Sequence, residues 1–215
     1  VGIGDIMADS TRVLILDGHP DSGRLTTALL DHYVSALPPG VGVERIAVRD
    51  MKFDPTLHRG YVVRQPWEPD LERMAAALLA CDHIVIAFPL WWGAEPAPLK
   101  GLLDRLLMPR FAFQYHSKGP LWDRLLVGRS ADLIVTMDTP PLWLRLVYGD
   151  AVIRRWRRQI LGFCGFKPVR VHRFGMTRNG EAEKKIAGWR AVLSRAAATA
   201  PGLARAEKLA PRPAG

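Results

Sequence analysis

The chain has 215 residues and is 48% hydrophobic, enough for one domain with a sizeable buried core, and nothing in its composition marks a second. Its 30 Lys and Arg against 21 Asp and Glu give a formal net charge of +9. That excess would suit nucleic acid, an anionic surface or a phosphorylated ligand, and charge alone does not choose among them. The densest basic run, Arg154 to Arg158 (RRWRR), has no nucleic-acid recognition motif beside it and reads as a solvated helix face, so no nucleic-acid partner is expected.

Residues 1–11 lack periodicity and read as a mobile lead-in; they carry acids where a secretory leader has a basic and then an apolar region. Gly2 and Gly4 follow no strand and form no dinucleotide fingerprint. The run RVLILD (12–17) reads as a buried strand stopping at Gly18-His19-Pro20. Asp21 or Ser22 could cap the helix that follows, with Leu25, Leu29, His32, Tyr33 and Ala36 at helical spacing until Pro38-Pro39-Gly40. Val41 to Val48 reads as a second strand. From Arg49 to Pro69 runs a connection too long for a compact α/β unit, so it is either functional or a cover. Asp70 to Ala80 is an amphipathic helix, His83 to Phe88 a continuous apolar strand, Pro89 to Pro98 a turn crowded with prolines and indoles, and Leu99 to Leu107 the next helix. A fourth strand is placed at Asp132 to Thr136, a helix at Tyr148 to Leu161, a fifth strand at Lys167 to Phe174 and a last helix at Gly180 to Ala198, before a frayed tail from 201. No apolar run approaches the roughly 18 to 20 residues of a bilayer span. Cys81 and Cys164 lie in apolar settings without metal or disulfide spacing and read as buried thiols, which fits a cytoplasmic protein.

Strands alternating with helices predict an α/β domain over residues 12–200: a flavodoxin-like three-layer sandwich whose five-stranded parallel sheet, in order 2-1-3-4-5, carries helices on both faces. In that order strands one and three flank the switch point where ligands bind beyond the strand ends. The two unusual loops, after Asp17 and after Phe88, would converge there. In the first, GHPDSGRLTTAL, a helix N-terminus and the donors His19, Ser22, Arg24, Thr26 and Thr27 could face a phosphate, and an ordinary capped turn explains the loop equally well. In the second, Trp91 and Trp92 between Pro89 and Pro96 could form a flat wall for a planar ligand such as a flavin, or a core or oligomer-interface pair. A third loop, Thr136 to Pro141, would reach the same edge. No nucleophile elbow and no His–carboxylate spacing of metalloenzyme type occurs, so hydrolytic and metal chemistry have no support.

The run FPLWWGAEPAPLKGLLDRLL resembles the flavodoxin-like NAD(P)H dehydrogenase (quinone) family, whose pattern is FPLxWxxxPAxLKGxxDR-like. HPDSGRLTTAL, the FDP at Phe53 to Pro55 and LGFCGFKPV agree with further family segments, so the resemblance covers roughly residues 12 to 175. It implies a flavoprotein, with FMN or FAD, that takes hydride from NADPH or NADH and reduces a quinone, commonly as a homodimer. An azo compound is another possible acceptor. A regulatory flavin-binding subunit associated with a membrane transport protein is the alternative, motivated by Pro140-Pro141. By resemblance, His19, Leu25 and Thr26 lie at the flavin phosphate; Pro89, Leu90, Trp91, Trp92 and Gly93 line the ring; Asp138, Thr139, Pro140 and Pro141 close its pyrimidine side; and Tyr148 faces the acceptor as the candidate catalytic group. The chain departs from the family at Arg24-Leu25-Thr26, where Ser-Phe-Asn is usual, and at Asp138 to Pro141, where Thr-Thr-Gly-Gly is often found and where prolines remove N–H donors. Glu95 is expected to face solvent.

Overall fold

The computed structural model describes residues 11–204. Its strands are β1 (Arg12–Asp17), β2 (Gly42–Ala47), β3 (His83–Pro89), β4 (Phe113–Tyr115), β5 (Trp122–Arg124), β6 (Ser130–Thr136) and β7 (Val169–Phe174). Its helices are α1 (Leu25–Ser35), α2 (Pro69–Ala80), α3 (Ala97–Leu106), α4 (Pro141–Leu146), α5 (Ala151–Arg154), a π-helix (Arg155–Leu161), α6 (Gly162–Cys164) and α7 (Glu181–Thr199). The main sheet is parallel in the order β2-β1-β3-β6-β7, the expected 2-1-3-4-5 arrangement, with β4 and β5 forming a separate antiparallel hairpin. Most of the expected lead-in and of the expected tail falls outside the described residues. No helix among the described residues is long and apolar enough to cross a membrane.

The central strands β3 and β6 are buried along their whole length, which is why HIVIAFP runs apolar without alternating. Val13, Ile15, Val85, Ala87 and Ile134 pack against Leu29, Leu30 and Tyr33 of α1 and Leu193 and Ala197 of α7. Leu14, Leu16, Ile84, Ile86, Phe88 and Leu133 point the other way, towards Leu71 and Met74 of α2, Leu99 and Leu102 of α3, and Trp156. Trp156 stacks on Phe88 with centroids 5.0 Å apart. Both cysteines are buried, and burial pushes the Cys164 thiol up to about 12.

Two local features differ from expectation. The β4–β5 hairpin is built from strands of three residues each, too short to show a period. The helix expected over Tyr148–Leu161 is broken by left-handed Gly149 (φ 61°) and Asp150 (φ 55°), so α4 precedes the break and α5 follows it into the π-helix. A side chain at Gly162 would meet the Arg157 carbonyl oxygen at 2.4 Å, so this glycine admits the wider turn. The long 49–69 connection is a cover. Buried Arg105 of α3 donates to Glu68 Oε2 at 2.8 Å and the Pro66 carbonyl at 2.7 Å, and a Cβ at Gly101 would meet Pro55 at 2.4 Å.

At the amino ends of the strands, fully buried Asp132 on β6 joins four elements. Its oxygens accept from Tyr33 Oη (2.6 Å) on α1 and Arg170 Nε (2.6 Å) on β7, and its carboxylate lies 3.4 Å from Nε2 of both His83 and His172. Burial alone would raise its pKa, but the close polar contacts of His172 and His83 and the hydrogen bonds from Arg170 outweigh it and hold the carboxyl far below the usual range. A depressed folded-state pKa contributes stability that is complete above the unfolded carboxylate range, about pH 4, and is lost as pH falls below it. Asp132→Asn, which leaves Arg170 without its counter-charge, is expected to cost about 3–5 kcal/mol at pH 7. In denaturant titrations the gap from wild type should narrow by pH 3, and a gap unchanged between the two pH values would contradict this account.

Candidate functional site

The loops leaving β1, β3 and β6 meet at the carboxyl edge of the sheet. Gly18 N–H donates to the Ala87 carbonyl (2.8 Å), and a Cβ there would lie 2.5 Å from Leu99 Cδ2, so only glycine lets the loop cross β3 this closely. Buried Asp17 then folds the loop back by accepting from Thr27 Oγ1 (2.7 Å), Arg49 (2.7 Å) and His19 N–H (3.2 Å). His19 Nδ1 accepts from the Asp21 N–H (2.9 Å), which places the ring proton on Nε2 and leaves that N–H as a donor. Burial holds the His19 pKa below its ordinary value, against the opposing pull of Asp17.

Helix α1 starts at Leu25 with no side-chain cap on its first turn. Thr26, 1% exposed, has a buried Oγ1 without a hydrogen-bond partner. Uncapped N–H groups and an orphaned hydroxyl at the positive end of a helix fit a phosphate. Two expected donors are engaged elsewhere in this structure. Arg24 is turned to Asp21 (Nε–Oδ2 2.8 Å), and Thr27 is spent on Asp17. Ser22 is exposed, its N–H bonded to Asp21 Oδ1 (2.8 Å).

After β3, the Leu90 N–H donates to the Thr136 carbonyl (2.8 Å), and Trp91 and Ala94 exchange two backbone bonds of 2.9 Å. Between them Trp92 (φ 50°) and Gly93 (φ 76°) have the positive φ pair of a type I′ turn, an uncommon conformation for an indole-bearing residue. Trp91 stands edge-on to His19 (5.5 Å, 81°), while Trp92, fully exposed, lines a cleft.

Glu95 does not face solvent. It is 5% exposed, paired with Arg155 and hydrogen-bonded by Trp156 Nε1 (3.0 Å), so it ties the aromatic turn to the π-helix. The signal for this contact lay in the run RRWRR, whose central Arg155 and Trp156 turn inwards.

The third loop completes the edge. Asp138 accepts from Thr177 Oγ1 (2.7 Å) and pairs with Arg178, two residues beyond β7 that the sequence did not mark. Pro140 is the N-cap of α4 and Pro141 its first residue, where a helix has no N–H to bond internally, so the two prolines start a helix. A Cβ on Gly175 would meet Pro141 Cδ and the Thr139 oxygen at 2.5 Å, so this glycine seats the loop. Between the second and third loops lies a cleft of about 480 Å³ lined by Leu90, Trp92, Gly93, Thr139, Leu144, Tyr148, Ala151 and Val152. Tyr148 is exposed at its rim.

The family model of the flavodoxin-like fold, Flavodoxin_2, matches residues 11–196, and the chain belongs to this family. NAD(P)H dehydrogenase (quinone) 1 of Rattus norvegicus is 27% identical over 209 residues, covering 83% of this chain and 75% of that protein. An FMN-dependent NADH:quinone oxidoreductase of Cereibacter sphaeroides (strain ATCC 17023) is 31% identical over 157 residues, 69% of this chain and 77% of that protein. The solved NAD(P)H:quinone oxidoreductase from Methanothermobacter marburgensis, 22% identical, shares the fold with a TM-score of 0.74 over 88% of this chain and 96% of that one.

Two substitutions test the architecture in ligand-free protein. Gly175→Ala should destabilise by about 1–3 kcal/mol through overpacking against Pro141. Thr26→Val, which removes an unpartnered hydroxyl, should be neutral or stabilising. Chemical denaturation reads both, and a destabilised Thr26→Val protein would show that the hydroxyl already serves the fold.

Proposed function

We infer that this protein is a flavin-dependent NAD(P)H:quinone oxidoreductase with FMN as its cofactor. The observation that carries the reading is the joint geometry of uncapped α1, orphaned Thr26 Oγ1 and the apolar cleft beside Trp92, all on the carboxyl edge at the β1/β3 switch point. Relatives named as FMN-dependent quinone oxidoreductases support it and favour FMN over FAD.

FMN held here would supply two-electron redox chemistry between a nicotinamide donor and a quinone acceptor. The chain binds and orients. The first-turn N–H groups of α1, including those of Leu25 and Thr26, and Thr26 Oγ1 would hold the phosphate, with His19 Nε2–H beside them. The N–H groups of Trp92 and Gly93, which have no partner among the described residues, would meet the ring together with Pro89, Leu90 and Trp91. Thr139, placed by Asp138 and Pro140-Pro141, would bound its other side. Donor and acceptor would occupy the cleft in turn, with the Tyr148 hydroxyl donating to a quinone oxygen.

Trp91, Trp92, Leu142, Trp143 and Leu146 expose apolar area around the cleft mouth, which fits a homodimer placed there. Two thiols buried in the core fit a cytoplasmic location.

Purified protein given FMN should turn yellow and oxidise NAD(P)H with a naphthoquinone. Colourless protein without turnover would overturn the assignment. Thr26→Val should weaken FMN about 10- to 100-fold, the value of a hydrogen bond to a charged group. Tyr148→Phe should lower kcat/KM for quinone about 2- to 10-fold while leaving flavin content intact.

A further inference from the structure

Along the outer side of α5 and the π-helix runs a second groove, of about 410 Å³, that the redox cleft does not use. Arg124 from β5, Arg154, Arg157 and Arg158 from α5 and the π-helix, and Lys167 from the turn before β7 all line it. Its floor includes the buried side chains of Ile153 and Phe166. The only carboxylate among its lining residues, that of Asp150, is taken by Arg173 (Nε–Oδ1 3.2 Å). Five exposed cations therefore share a concave surface with no free acid.

A solvated helix face explains part of this but not all of it. Such a face usually carries acids three or four positions from its bases, because like charges at that spacing repel; here Arg157 and Arg158 have none, and the one beside Arg154, Asp150 four positions earlier, is paired with Arg173. The fold then adds Arg124 and Lys167 from two other segments, which raises the repulsion further. An arrangement drawn from three chain segments onto an apolar floor gains most from a ligand bearing several negative charges.

We propose that this groove binds a phosphorylated small molecule carrying two or more phosphate charges. Arginine guanidinium groups fork onto phosphate oxygens, and the floor accepts an apolar or aromatic part of the same ligand. Two sources share this chemistry. One is a free phosphorylated metabolite. The other is the phosphate-bearing end of the nicotinamide donor, because Arg154 lies against Gly149 (3.4 Å from its Cβ position), next to Tyr148 on the rim of the redox cleft.

The test is calorimetric titration of the full chain with adenosine 2′,5′-bisphosphate and with pyrophosphate, in low and high salt. Wild type should bind at least one of them, more weakly in high salt, and Arg157→Gln/Arg158→Gln should lose about tenfold or more in affinity. Lys118→Gln/Arg190→Gln removes the same charge elsewhere on the surface and should bind as wild type does. No binding by wild type, equal loss in both double variants, or tighter binding of a duplex oligonucleotide than of either small ligand overturns the proposal. Within the supporting result, a KM raised for NADPH alone or for both donors identifies the donor's own phosphates (its 2′-phosphate or its shared pyrophosphate), and an unchanged KM for both donors identifies a separate ligand. The flavin content of each variant, measured by absorbance, keeps failure of this groove distinct from failure of the FMN assignment.

Discussion

Hydrogen bonds that carry the sheet beyond its strands hold the candidate site together. Gly18 N–H to Ala87, Leu90 N–H to Thr136 and Met137 N–H to Phe174 (2.8, 2.8 and 2.9 Å) each lock the first residue past one strand to its neighbour. The three loops therefore leave the sheet in fixed register, and their freedom begins only after the residues that set their direction. A parallel sheet buried on both faces makes this possible, since it leaves the carboxyl edge as the place where main-chain groups can be left for a ligand. Glycine recurs at the closest approaches for the same reason: Gly18 where β1 exits beside Leu99, and Gly175 where the third loop passes β7.

Electrostatics divide the molecule between its two ends. At the amino ends buried Asp132 accepts hydrogen bonds from Tyr33 and Arg170 and lies 3.4 Å from Nε2 of His83 and of His172, the latter without a hydrogen bond of its own, and the network clamps α1, β3, β6 and β7. At the carboxyl ends two buried side-chain atoms, Thr26 Oγ1 and one oxygen of Glu95, are left unmet, while the exposed N–H groups of Trp92 and Gly93 stand open to solvent. Unmet buried polar groups cost stability, and a bound cofactor is a natural way to recover it. The Glu95–Arg155 pair couples the aromatic turn to the π-helix, so the ring-facing wall and the helix bearing the basic groove share one buried contact.

Much of this was legible in the amino-acid order. The apolar runs at 12–17 and 83–88 placed both switch-point strands, and the strand–helix alternation gave the sheet order. The motif FPLWWGAEPAPLKGLLDRLL also contained the reasons for its own Gly101 and Arg105, which hold the 49–69 cover by close approach and a buried fork. What could not be read was long-range pairing. Glu95 looked like a surface acid because its partners lie 60 and 61 positions away, and Asp138 looked free because Thr177 and Arg178 reach it from beyond β7. Arg24 and Thr27 looked available to a ligand because nothing in the sequence shows that Asp21 and Asp17 take them first. The prolines at 140 and 141 looked damaging until α4 began at them.

The central claim is that the three carboxyl-edge loops form an FMN site, and identification of the bound small molecule tests it most directly. Native protein, purified after supplying flavin, is denatured and the released cofactor is identified by mass. The account predicts FMN, close to one per chain. Release of FAD, or of no flavin at all, would contradict it.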